Sequence, residues 1–133
     1  MEWKRKPGTW QMTEHTKNGV LYVTFPLLDA EQGFVHGFST RIGGVSEGDL
    51  SSMNLSFTRG DDPERVRENY RRIAAAVGFE TDRLVLTHQT HTNHVRVVTE
   101  ADAGKGFVRE RDYTDVDGLV TDVPQLVLTT FYA

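Results

Sequence analysis

From residue 63 to residue 77 the apolar positions Val66, Tyr70, Ile73 and Val77 recur at intervals of four, three and four, which lays them along one stripe of an α-helix. The boundary signals agree with that span. Asp62 stands at the N-cap, Pro63 at the first helical position and Gly78 just past the end. Elsewhere the pattern changes to short β-branched and aromatic runs. Residues 20–25 read as a strand ended by Pro26, and residues 34–39 as a second. After the helix, residues 84–86, 95–98, 117–121 and 126–131 read as further strands, with a turn at Pro124. Residues 1–18 are polar and irregular, and the charged stretch 100–115 reads as a solvent-facing excursion. One helix against about six strands predicts an α+β (mixed α/β) domain whose sheet is open at its last strand. The glycine- and serine-rich stretch 41–60 is long for a loop, which argues for function, and its glycines would let a ligand approach the backbone.

A length of 133 residues suits one domain, and 38% hydrophobic with 26% charged residues is a globular composition. The net charge of -4 gives no general pull toward phosphate backbones or anionic lipid, so nucleic acid and membranes are not the expected partners. No run approaches the roughly 18 apolar residues of a membrane span, and the N-terminus lacks a signal-peptide core, so the cytoplasm is expected. The absence of cysteine excludes disulfides, zinc-thiolate sites and a cysteine nucleophile within this sequence. Arg65, Arg67, Arg71 and Arg72 are interleaved with Glu64 and Glu68, so they read as a solvated helix face rather than a nucleic-acid patch.

The candidate chemistry lies in two places. His88, His91 and His94 fall three apart, but their Thr and Val neighbours favour extended structure, where His88 and His94 share one face and His91 points to the other. A metal site using all three is therefore disfavoured, and each imidazole also reads as an ordinary hydrogen-bonded residue. Arg41, beside the Gly43–Gly44 turn, can grip phosphate or carboxylate through two parallel hydrogen bonds, or can be a surface arginine on a structural turn. Asn54 reads as an amide contact or a turn residue, and Asp61 with Asp62 as helix capping.

Several spaced strings together carry a family resemblance. His36, Gly37, Phe38, Ser39, Thr40 and Arg41 precede Gly43, Gly44, Val45 and Ser46. Met53, Asn54 and Leu55 follow, then Gly60 to Pro63 with Val66 and Asn69. Gln89, Thr90 and His91 come next, and Asp117 to Thr121 last. In this order and spacing the chain resembles the YfiH/YlmD family, also called the multicopper polyphenol oxidase or laccase-domain family. The resemblance covers nearly the whole chain. It implies a YfiH-like α/β/β/α layered domain and purine nucleoside phosphorylase activity with adenosine deaminase activity. It also implies a zinc site built from the His of a Gln-x-His motif, the Cys of a Thr-Ala-Asp-Cys motif and the His of a His-Ala-Gly-Trp-Arg motif. His91 matches the first ligand; the other two motifs have no counterpart, and the chain ends where the cysteine is expected. Residues 1–133 therefore resemble the N-terminal part of a single domain of this type, truncated after its last visible strand.

By the same resemblance, His91 and Arg41 are the expected catalytic residues, and Ser39, Arg41, Asn54 and Gln89 the expected substrate contacts. His91 is the expected metal ligand, and purine nucleosides with phosphate are the expected substrates. With one zinc ligand the chain alone is expected to be inactive. Two alternatives remain. One is a copper-dependent, laccase-like phenol oxidase, which the missing cysteine disfavours; the other is a non-catalytic binding or assembly module. The open edge of the last strand predicts a homodimer or a completing chain.

Overall fold

The structure, a computed structural model, describes residues 12–132. It opens with a hairpin: β1, Thr13–Lys17, pairs antiparallel with β2, Val20–Thr24, in the register Thr13↔Thr24 to Lys17↔Val20. The turn is Asn18–Gly19, both with positive φ (53° and 78°), the backbone a two-residue hairpin needs. The expectation of irregular chain up to residue 18 is thus corrected from residue 13 onward, and for residues 1–11 it lies outside the described residues. A single helical turn, α1, Pro26–Asp29, follows β2. The strand expected over residues 34–39 contracts to β3, Phe38–Ser39, on the free edge of β2. Phe34 and Val35 lie exposed and outside the ladder.

The helix α2, Pro63–Val77, has the expected bounds. Val66, Tyr70 and Ile73 are buried with Ala74 and Ala76, and Asn69, a polar position within the same stripe, is 0% exposed. Asp62 caps the helix by accepting the Glu64 N–H at 2.9 Å. On the opposite face Arg72 pairs with Glu68 at 3.0 Å, as the i,i+4 spacing implies.

The chain divides after Val77 into two compact units. In the second, β4, Leu84–Leu86, pairs in parallel with β7, Val127–Thr129, and β5, Val95–Val97, pairs in parallel with β6, Gly118–Val120. The four strands fall close to their expected positions, but in two ladders. Val85, Val98 and Leu126 form the core between them, with Tyr113 and Leu119 packed alongside.

The excursion expected over residues 100–115 faces solvent only in part, because residues 102–107 turn inward. Gly104 N–H donates to the Leu84 carbonyl (2.8 Å) and Leu86 N–H to the Lys105 carbonyl (3.0 Å), so the segment is laid against β4. Asp102 and Lys105, 4% and 7% exposed, are buried with Phe107. They enter because they neutralise each other. Lys105 Nζ lies 2.6 Å from Asp102 Oδ1 and 2.9 Å from Asp112 Oδ2. Burial pushes the Asp102 carboxyl up. The Lys105 ammonium, the Thr99 N–H and Arg96 outweigh it and bring the carboxyl down to about 2.

Candidate functional site

In the first unit the stretch from Arg41 to Asp61 is a closed polar network fastened to α2. Arg41 donates from Nε (3.0 Å) and Nη2 (2.9 Å) to the Ser51 carbonyl and from Nη2 to the Asp49 carbonyl (3.2 Å). The Arg41 carbonyl in turn accepts from Ser52 N–H, Met53 N–H and the Ser52 hydroxyl. The guanidinium is therefore held by its own loop, and Nη1 has no partner among the described residues.

The glycines beside it serve chain packing rather than the approach of a ligand. A Cβ on Gly44 would stand 2.0 Å from the Ser52 carbonyl oxygen, and one on Gly43 2.5 Å from Val20 Cα.

Asn69 is the centre of this network. Its Oδ1 accepts the Val45 N–H at 2.8 Å, and its Nδ2 donates to the Ser46 hydroxyl and the Asn54 carbonyl, each at 2.8 Å. Ser46 (2.6 Å) and the Asn54 amide (2.9 Å) both donate to Asp61 Oδ2. Asn54 completes an Asx turn with Ser56, accepting its N–H at 3.0 Å. So the turn role of Asn54 is the one observed, and Asp61 is no helix cap but the far anchor of the loop. Hydrogen bonds from Asn54 and then Ser46 hold the Asp61 carboxyl below its ordinary value, outweighing desolvation. Ser39 sits in β3 opposite Tyr22, half-buried. Sequence reasoning left Asn69 without a role; its signal was a lone amide inside an apolar helical stripe.

In the second unit, the chain between β4 and β5 does not run as one strand, and the predicted alternation of the three histidines is corrected at His91, which leaves extended backbone. The cause is Asp117. Its Oδ1 accepts from Thr90 N–H (3.0 Å) and the Thr92 hydroxyl (3.1 Å), and its Oδ2 from His91 N–H (2.9 Å). Gathering consecutive amides around one carboxylate turns the chain, and His91 takes a left-handed φ of 64°. The amides of Thr90, then Thr92, hold the Asp117 carboxyl below its ordinary range.

Asp115 holds the flanking rings. Its N–H donates to His88 Nδ1 (3.1 Å), and its carbonyl faces His94 Nδ1 (3.0 Å). An amide can only donate and a carbonyl can only accept. His88 Nδ1 is therefore unprotonated and His94 Nδ1 carries the proton, which leaves a lone pair on Nε2 of neutral His94.

The His91 ring is exposed and has no hydrogen-bond partner among the described residues. Gln89 donates to the Phe131 carbonyl at 2.9 Å, tying this loop to the end of the described chain. Among the described residues no three His, Asp or Glu side chains gather closely enough to hold a metal ion. An exposed imidazole on a pinned backbone does fit the chemistry of one ligand in a larger set.

The sequence model of a family described as multi-copper polyphenol oxidoreductase laccase matches residues 35–133. A purine nucleoside phosphorylase of Corynebacterium glutamicum is 38% identical over 96 residues, covering 72% of this chain and 37% of the relative. Purine nucleoside phosphorylase YlmD of Geobacillus stearothermophilus is 35% identical over 105 residues, 76% of this chain and 37% of that protein. Its crystal structure superposes with a TM-score of 0.72 at 33% identity, covering 88% of this chain and 42% of that one. The structure of Bacillus licheniformis YfiH does so with a TM-score of 0.72 at 27% identity, over 84% and 40%. The mixed helix-and-strand fold is thus that of YlmD and YfiH, and this chain spans well under half the length of the relatives it matches.

Proposed function

The chain belongs to the multi-copper polyphenol oxidoreductase laccase family, and on that premise we propose that it forms part of a purine nucleoside phosphorylase. The similar proteins named as such support this reading. In phosphorolysis a phosphate oxygen bonds to the anomeric carbon of the ribose while the bond to the purine nitrogen breaks, giving ribose 1-phosphate and free base. Positive charge fixed in advance stabilises the developing charge. The observation that carries the reading is Arg41, whose guanidinium is oriented by the Ser51 and Asp49 carbonyls and keeps Nη1 for a phosphate oxygen.

Ser39 and Gln89 are proposed as further substrate contacts, and Asn54 as a residue that shapes the loop. His91 is proposed as one zinc ligand, on the strength of its exposed ring and pinned backbone. A bound zinc supplies Lewis acidity of the kind adenosine deamination requires. The remaining ligands would come from outside the described residues, because these gather no ligand set of their own. The 133-residue chain alone is therefore expected not to turn over. Among the described residues β7 pairs with β4 alone, so a second copy or a completing chain is proposed to add along it. No described helix is long and apolar enough to cross a membrane; a cytoplasmic location accompanies the metabolic role as part of the proposal.

The test is release of hypoxanthine from inosine with and without phosphate. No release is expected from this chain by itself, and phosphate-dependent release from a longer protein that contains it. Phosphate-dependent turnover by the 133-residue chain would overturn its predicted inactivity. A longer protein that ignored inosine but oxidised phenols when loaded with copper would replace the reading with the laccase-type one.

A further inference from the structure

The ring of His91 has no hydrogen-bond partner among the described residues, so nothing in its ring contacts there aims it. An imidazole that binds a metal ordinarily has its second nitrogen fixed by a carbonyl or carboxylate. Here the fixing acts on the main chain instead. His91 occupies left-handed backbone, at a φ of 64°, a conformation that non-glycine residues keep only where the surroundings impose it.

Asp117 is the group that imposes it, with Oδ2 2.9 Å from His91 N and Oδ1 3.0 Å from Thr90 N. The carboxylate itself starts from a rigid base. Val116, 0% exposed, exchanges two 3.0 Å backbone hydrogen bonds with His88. On the other side, Asp117 N–H donates to the His94 carbonyl at 3.0 Å, and Gly118 enters the ladder opposite Val95. The acceptor is thus clamped between two backbone pairings, and the donors sit on a loop whose tip carries the exposed ring.

From this we infer that Asp117 is a positioning residue for His91: through the main-chain amide its carboxylate fixes the place and Cα–Cβ direction from which the imidazole reaches a divalent cation. The inference rests on the reading of His91 as a metal ligand. It makes the Asp117–Gly118 dipeptide part of the site even though neither residue would touch metal or substrate. Asp115 has a parallel duty toward the rings of His88 and His94, which it meets directly rather than through the loop backbone.

The experiment is a titration with zinc chloride of the longer protein that contains this chain and supplies the remaining ligands, following the ring resonances of His88, His91 and His94 by NMR, alongside amide exchange at His91. Asp117→Asn keeps the volume but removes the charge and turns one acceptor into a donor. It is expected to expose the His91 amide to exchange and to raise the zinc concentration at half-response of the His91 ring by about 10-fold or more, with the β5–β6 amides still protected. Lost amide protection with an unchanged zinc midpoint would overturn the inference while leaving His91 a ligand. A His91 ring that ignores zinc in the unsubstituted longer protein would remove the metal reading, and the inference with it. Should Asp117→Asn unfold the chain, Thr92→Val carries the test. It deletes one donor to the same carboxylate, and about a threefold loss is expected; no loss would count against the positioning role.

Discussion

The loop of Arg41 and the loop of His91 are built from the same materials, a carboxylate that collects hydroxyl, amide and backbone donors, yet they end in opposite conditions. Around Asn69 the donors and acceptors are turned on one another, and the guanidinium of Arg41 is tied to the Ser51 and Asp49 carbonyls, with Nη1 alone left over among the described residues. Around Asp117 the carboxylate takes main-chain N–H groups and one hydroxyl, and the ring at the tip has no hydrogen-bond partner among the described residues. The first arrangement stabilises a fold from inside, with a buried amide as its hub. The second fixes a backbone and leaves a reactive side chain outside. Polar density alone therefore does not locate a site; what marks a candidate is a functional group carried on a fixed backbone while its own hydrogen-bonding atoms have no partner among the described residues.

The largest effect should come from the closed network. Asn69→Ala strands the Val45 N–H and frees Ser46 and the Asn54 carbonyl within a buried pocket of the loop, and should destabilise the protein by about 3 kcal/mol. Urea unfolding measures it, and a loss under about 1 kcal/mol would mean that water replaces the amide and that the two loops differ less than described.

Acid should act next, on both regions and on the buried pair. Asp61, Asp117 and Asp102 are each held below the ordinary value of 3.8. Their contribution is accordingly full above that value and is lost as pH falls through the folded-state value, about 2 for Asp102. The urea midpoint should be level from about pH 6 to 5 and fall progressively below about pH 4. Asp102→Asn should remove part of the acid slope at the expense of stability at neutral pH, since it leaves Lys105 with Asp112 as its remaining carboxylate. A slope unchanged by that substitution would assign acid sensitivity to other carboxyls.

The smallest effect is a matter of protons. In the neutral imidazoles, nitrogen chemical shifts should report His88 with the proton on Nε2 and His94 with it on Nδ1, because the same residue offers an N–H to one and a carbonyl to the other. Matching tautomers at the two histidines would show that Asp115 does not hold both rings.

Helix α2 was legible to the residue, since cap, first-turn proline, apolar stripe and terminal glycine all lie within one short stretch. The strands β4 to β7 were legible as apolar runs for the same reason. The hairpin β1–β2 was legible too: the Asn18–Gly19 signal is present in the sequence, and reading the polar residues 13–17 as irregular overlooked that an exposed strand need carry few apolar positions. The burial of residues 102–107 was not, because Asp102 and Lys105 look like solvated charges until Asp112 and β4 are brought beside them.

Sequence by itself determined the elements whose causes are local and the family whose spaced strings the chain carries. Tertiary structure alone decided the state of the candidate site. The conformation of His91 depends on a carboxylate 26 residues away, and the role of Asn69 on loop groups as far as 24 residues distant. A backbone amide turns toward whichever acceptor the fold delivers, and no period or propensity in the intervening residues records which one that is.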